Sequence, residues 1–156
     1  MEITCRSIGK VQAGKEFAVQ LDSGYTPGLA GLKGFTHVLV VWYADKMPPW
    51  DSAFLLVDKP YRLAPEKLGV FATRSPFRPN GICVSVAEVS QIDEKKGRVT
   101  FNWIDAEDGT PVIDLKPYHP SSDRIRDAKT PSWSAHWPAC YEESGSFAWD
   151  KEFLFL

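Results

Sequence analysis

The sequence predicts a mainly β protein, a single small β-barrel with long loops and few short helices. Three observations carry this. Short stretches alternate apolar and polar residues with the period of a half-buried strand. Among 156 residues, 12 prolines and 13% aromatic residues lean toward a turn-rich β architecture. The intervening segments are punctuated by glycine and proline and have room for one or two helical turns. Such a chain fits one domain over residues 1–156, and at this length roughly 70% of the unfolded surface is buried, so no disulfide or metal is needed to close a core.

The elements follow in chain order. In "EFAVQL", Phe17, Val19 and Leu21 share one face, the pattern of a half-buried strand. "GYTPGLAGLKG" reads as a loop. "HVLVVWYA", from His37 to Ala44, is apolar throughout, β-branched and short, which fits a strand buried on both faces. "DKMPPWDS" and "DKPYRLAPEKLG" are again loops. Ile82, Val84 and Val86 share one face of "ICVSVAEV", and Val99, Phe101 and Trp103 one face of "RVTFNW". The charged run "SQIDEKKG" between them ends in Gly97 and predicts an antiparallel hairpin. Asp108-Gly109-Thr110-Pro111 is a tight-turn sequence, and "VIDL" after it is a short strand. The segment 124–156 is dense in aromatics without a period, and is expected to be an irregular strap covering the barrel or a subunit interface.

Composition excludes several classes. A net charge of −2 argues against coating nucleic acid by bulk charge, so any such contact must be focused. Cys5, Cys83 and Cys140 are odd in number and far apart, which suggests neither a disulfide framework nor a paired-cysteine metal site. His136 and Cys140 are separated by a segment containing Pro138, which interrupts any helix that would align them on a metal. "GLAGLKG" follows no strand of the dinucleotide-binding type and does not match that fingerprint. The N-terminus lacks an apolar signal core and "VLVVWYA" is too short to span a bilayer, so a cytoplasmic protein without membrane association is expected.

Two stretches hold the chemistry. In "GVFATRSPFRPNGI", Pro76 and Pro79 push the residues before them out of helical geometry, so Arg74 and Arg78 are displayed on a stiff, extended corner. Fixed guanidiniums suit a carboxylate or phosphate, and Asn80 adds an amide that donates and accepts. Pairing with the chain's own carboxylates is the alternative. In "IDAEDGTPVIDLKPYHPSSD", the backbone amides of the Asp-Gly-Thr turn are close to any ligand because glycine has no side chain. Asp114 and Lys116 lie two apart and so on one strand face, where a surface ion pair is the simplest reading.

Together, "GVFATRSPFRPNGICVS" and "DGTPVIDLKPY", preceded by "GLKGFTHVLVVWY", resemble the TsaA-like (YaeB/TrmO) family in order and spacing, from Ile8 to about Asp123. The resemblance implies a β-barrel methyltransferase, unrelated to the Rossmann type, that binds S-adenosylmethionine at the interface of a homodimer. It further implies a tRNA partner and transfer to the exocyclic amine nitrogen of threonylcarbamoyl-adenosine beside the anticodon. By motif matching, Arg74 and the turn Asp108-Gly109-Thr110-Pro111 hold the cofactor, Val84 lines its pocket, and Asp45 and Lys46 are the next contacts. Asp114 or Tyr118 is the candidate base, with Lys116 countering or orienting charge; Arg78 and Asn80 are candidate substrate contacts. Arg124, Arg126 and Lys129 form a basic run suited to tRNA phosphates or to solvent.

Three features depart from the better-known bacterial members. Gly81 stands where the family usually has a second proline after the asparagine. The stretch from Ile8 to Phe35 lacks the proline-arginine-glutamine loop of the cofactor site, and the chain is expected to lack their C-terminal domain. Two further readings therefore stand beside the tRNA methyltransferase. One is a methyltransferase of the same fold acting on another small-molecule or nucleic-acid acceptor. The other is a non-catalytic, S-adenosylmethionine-binding regulatory module.

Overall fold

The computed structural model describes residues 1–154. Eight strands occur in chain order: β1 (Gly9–Ala13), β2 (Phe17–Leu21), β3 (His37–Tyr43), β4 (Leu56–Asp58), β5 (Lys67–Gly69), β6 (Ile82–Asp93), β7 (Arg98–Phe101) and β8 (Pro111–Pro117). Among the described residues helices are limited to two four-residue turns, α1 (Pro120–Asp123) and α2 (Tyr141–Ser144), and short 3₁₀ segments. The chain divides into two compact units, Met1–Pro49 with Asn80–Arg124, and Trp50–Pro79 with Ile125–Leu156.

The first unit is a closed antiparallel barrel with strand order β1-β2-β7-β6-β3-β8. Closure removes the exposed sheet edges on which strands of other chains could add. Its interior is filled by Val11, Val19, Val38, Val40, Val99, Phe101 and Val112, each at most 3% exposed. The 17–21 alternation and the β6–β7 hairpin stand as expected, with Gly97 at φ +65° closing the hairpin turn. The run "SQID", however, is strand, because β6 continues to Asp93 before turning.

Three expectations are corrected. On β6 the apolar face points outward: Ile82 and Val84 are 41% and 40% exposed, while Ser85 and Ala87 are buried. The interior already holds Val38, Val40 and the partly buried Trp42 from β3, so the facing strand supplies small residues, and Trp42 Nε1 donates to Ser85 Oγ at 3.0 Å. Strand β3 is consequently buried on one face, and Tyr43 on its other face is 44% exposed. Finally, β7 ends at Phe101, so Trp103 is exposed and Ile104 fills the core instead.

The second unit contains the β4–β5 hairpin and has its own core of Tyr61, Ala64 and Leu68 packed against Trp133, Trp137 and Phe153. The aromatic strap thus supplies half of that core. Its end lies antiparallel to the loop after β4, with Arg62 N donating to Glu152 O at 2.9 Å, Leu154 N to Pro60 O at 3.0 Å, and Tyr61 bridging Phe153. Glu152, 1% exposed, accepts from His136 Nε2 at 3.0 Å and faces Arg62 Nε at 3.5 Å, so this buried charge is compensated.

Candidate functional site

The turn before β8 is built into the barrel wall. Gly109, at φ +81°, adopts a backbone conformation that strains other residues, and Thr110 after it is buried. Gly109 N donates to Val11 O at 2.9 Å, Thr110 O accepts from Val11 N at 2.9 Å, and Thr110 N donates to Glu107 O at 3.2 Å. Both amides expected to face a ligand are therefore spent inside the chain, that of Gly109 because the turn extends the β1–β8 ladder and that of Thr110 within the turn itself. Asp108 Oδ1 accepts from Ala13 N at 3.0 Å, pinning the acid between the turn and β1.

The end of β3 is tied to this turn. Lys46 Nζ lies 2.5 Å from Glu107 Oε2 and 3.3 Å from Asp108 O. The hydrogen bond with Glu107, then the charges of Glu107, Asp45 and Asp108, raise the Lys46 ammonium above the ordinary lysine range against some desolvation, so it stays charged. Asp45, Lys46 and Asp108–Pro111, nominated from separate stretches, are thus brought together. Glu107 was not foreseen, and its signal was an acid immediately before an Asp-Gly turn. Beside the turn an open, shallow groove of about 470 Å³ is lined by Lys10, Gln12, Lys15, Arg98, Asp108 and Gly109.

The other candidates sit apart from it along the barrel. Val84 is on the outer face of β6, opposite Val41. Asp114 and Lys116 share one face of β8 and form a 2.7 Å ion pair, with Asp114 Oδ1 also accepting from Leu115 N at 2.9 Å. The hydrogen bond and charge of Asp114 raise the Lys116 ammonium. Tyr118 lies beyond the far end of β8, its amide bonded to His37 O at 3.0 Å and its ring edge-on to His37. About 20 Å of strand separates it from the turn at Pro111, so within one chain the two do not meet. Asn80, at the start of this unit's second segment, is exposed.

The arginine corner belongs to the second unit. Thr73 Oγ1 donates to Val70 O at 2.8 Å and accepts from Ser75 N at 3.3 Å, and Ser75 Oγ accepts from Phe77 N at 3.2 Å. These successive side-chain turns give the stiffness inferred from the prolines a hydrogen-bonded basis. Arg74 is exposed, and Arg78 donates to Thr73 O at 3.4 Å. Among the described residues Arg78 forms no ion pair with a carboxylate. Gly81, which follows Asn80, has φ +52°, a value closed to proline, so this departure from the family pattern carries a different backbone.

Residues 7–124 match the tRNA-methyltransferase O N-terminal domain family. The chain belongs to the TrmO family. An S-adenosyl-L-methionine-binding protein of Archaeoglobus fulgidus is 35% identical over 109 residues, covering 65% of this chain and 68% of that protein. The tRNA (adenine(37)-N6)-methyltransferase of Escherichia coli is 36% identical over 127 residues, covering 78% of this chain and 52% of the enzyme. A solved TrmO structure from Pseudomonas aeruginosa aligns with TM-score 0.64 at 28% identity, over 83% of this chain and 62% of that one. The TrmO match takes in the arginine corner, the turn and β8, and stops where the aromatic strap begins.

Proposed function

We propose that the protein is an S-adenosylmethionine-dependent tRNA methyltransferase that modifies the exocyclic nitrogen of adenosine 37, with threonylcarbamoyl-adenosine as acceptor. The observation that carries this is the pinned turn Asp108–Pro111 with Lys46 and Glu107 locked on it, in a chain of the TrmO family. Relatives named for binding S-adenosylmethionine and for methylating adenine 37 support both halves of the reading.

The residues fit the cofactor's chemistry. It presents a carboxylate, an ammonium, a sulfonium and an adenine, and when bound it supplies an activated methyl group. Arg74 is the anion donor, on a corner already stiff before binding. Asp108 offers the ammonium its second carboxylate oxygen, since Oδ1 is taken by Ala13 N. Val84 gives an exposed apolar wall. Gly109 and Thr110 shape the turn and hold it to β1, and Pro111 continues into the ladder opposite Lys10. Lys46 and Asp45 set the local charge.

Because the methyl donor is activated, the protein's work is alignment and exclusion of water. Asp114 is the favoured residue to take the amine proton, with Lys116 orienting its carboxylate. Tyr118 is the alternative, and its placement at the far end of β8 gives it a role only toward a substrate held there. Arg78 and Asn80 contact substrate, and Arg124, Arg126 and Lys129, all exposed, meet tRNA phosphates. The exposed stripe of Tyr43, Ile82 and Val84 on the outer barrel face supports a homodimer.

The test is comparison of nucleosides in bulk tRNA from a strain lacking this gene and its parent. Loss of the methylated threonylcarbamoyl-adenosine is expected. Unchanged levels, with S-adenosylmethionine binding intact by calorimetry, would move the reading to another acceptor; binding without turnover on any acceptor would leave a regulatory module.

A further inference from the structure

The outer face of β8, β3 and β6 is ordered by its register. Asp114 on β8 is opposite Val41 on β3, which is opposite Val84 on β6; two residues further along β8, Lys116 is opposite Leu39, which is opposite Val86. The alternating residues Val38, Val40, Leu115 and Ala87 belong to the core, so both rows lie on the outside of the barrel. Neighbouring strands are about 4.8 Å apart and the two rows about 7 Å apart. Asp114 and Lys116 therefore border a strip floored by Leu39, Val41, Val84 and Val86, and in these two rows charge occurs on the β8 side alone. Val84, read above as an apolar wall for the cofactor, shares its row with Asp114.

Lys116 has more donor capacity than its partner uses. An ammonium carries three N–H donors. This one is 59% exposed and pairs at 2.7 Å with Asp114 Oδ2, its only ion-pair partner among the described residues. Asp114 Oδ1 is taken by Leu115 N at 2.9 Å. If Asp114 accepts the amine proton, its carboxylate is neutralised and Lys116 loses its counter-charge at the moment of reaction. A second carboxylate within reach keeps the ammonium paired, and the ammonium in turn offsets the repulsion that such a carboxylate meets from Asp114.

We propose that Lys116 selects the threonylcarbamoyl-bearing adenosine by binding the carboxylate of that group while the base lies along the strip. The proposal rests on the acceptor named above. That carboxylate sits on the same short arm as the nitrogen to be methylated, which matches an acid and an ammonium set side by side on β8. An apolar floor with a few placed polar groups is the usual way a site fixes and discriminates a small planar ligand. Unmodified adenosine offers Lys116 no anion, and so gains nothing from it.

The experiment compares two anticodon stem-loop RNAs, one carrying threonylcarbamoyl-adenosine and one carrying the same group with its carboxylate converted to the neutral amide, each with S-adenosylmethionine. The readout is the ratio of their kcat/KM values, from which the folded fraction of enzyme cancels. Wild type should favour the carboxylate about five- to ten-fold, below the full scale of a hydrogen bond between charged groups because Lys116 is largely exposed. Lys116→Gln should bring the ratio close to one, and Lys116→Arg should restore the preference. Where Lys116→Gln abolishes turnover, the same ratio is read from the dissociation constants of the two RNAs. Equal loss on both RNAs means that Lys116 acts through Asp114 alone and overturns the proposal, as does a wild-type ratio of one with the acceptor reading intact. If wild type binds S-adenosylmethionine but methylates neither RNA, the acceptor reading fails, and this proposal with it.

Discussion

Arg74 is the residue on which the binding reading turns. Its replacement by alanine should weaken S-adenosylmethionine binding by about 1.5–3 kcal/mol, the worth of a hydrogen bond to a charged group, as measured by calorimetry. Gly97 makes a different point. At φ +65°, a side chain there would be strained, and a Cβ would stand 2.5 Å from Thr26 Oγ1. Gly97→Ala should therefore cost about 1–2 kcal/mol from the left-handed backbone, and more if Thr26 does not turn aside, read as a lower denaturation midpoint. Gly97 was legible as a turn from its charged neighbours. The engagement of the Gly109 and Thr110 amides was not, because whether a turn's donors face a ligand or a neighbouring strand depends on which strand the barrel brings beside it.

At the scale of elements, period-two patterning identified β2, β6 and β7, and a continuous apolar run identified β3, but the inner face of β6 was chosen wrongly. Both faces of "ICVSVA" are tolerable in a core. A narrow barrel already filled by valines and Trp42 selects Ser85 and Ala87 over Val84 and Val86, and volume of that kind is invisible in a single strand. The strap was recognised by its aromatics, while its partner Tyr61, distant in sequence and set in a loop of no clear period, was not. The strap is also where pH enters. Burial alone would raise the Glu152 carboxyl, but the His136 hydrogen bond, the nearby Trp137 indole and the charges of His136 and Arg62 outweigh it, and its pKa is lowered. A carboxyl depressed on folding stabilises above its unfolded pKa of about 4.3 and loses that contribution as pH falls through the lower folded value. Glu152→Gln should accordingly melt lower at pH 7, and its melting temperature should fall less than wild type's between pH 5 and 3.

For the whole molecule, the barrel's closure and the family assignment were both accessible from motif order, whereas the division into two compact units was not. The long motif that marks the family runs straight across that division, from Pro79 to Asn80, so it reads as one piece in sequence. The exposed stripe of Tyr43, Ile82 and Val84 predicts a dimer by sedimentation velocity. Ile82→Asp should shift the population to monomer by placing a charge in the apolar centre of the contact, and persistence of the dimer would remove this face from the assembly. Among the described residues no helix is long and apolar enough to cross a membrane.

The arrangement of the second unit also orders events during synthesis. Its two segments, Trp50–Pro79 and Ile125 onward, bracket β6, β7 and β8. On the ribosome, Tyr61 emerges long before Trp133, Trp137 and Phe153, and waits unpacked while the last three barrel strands are made. The core of the second unit thus closes last, after the barrel has everything it needs to close. A chain released early would carry a finished barrel beside a half-built second core.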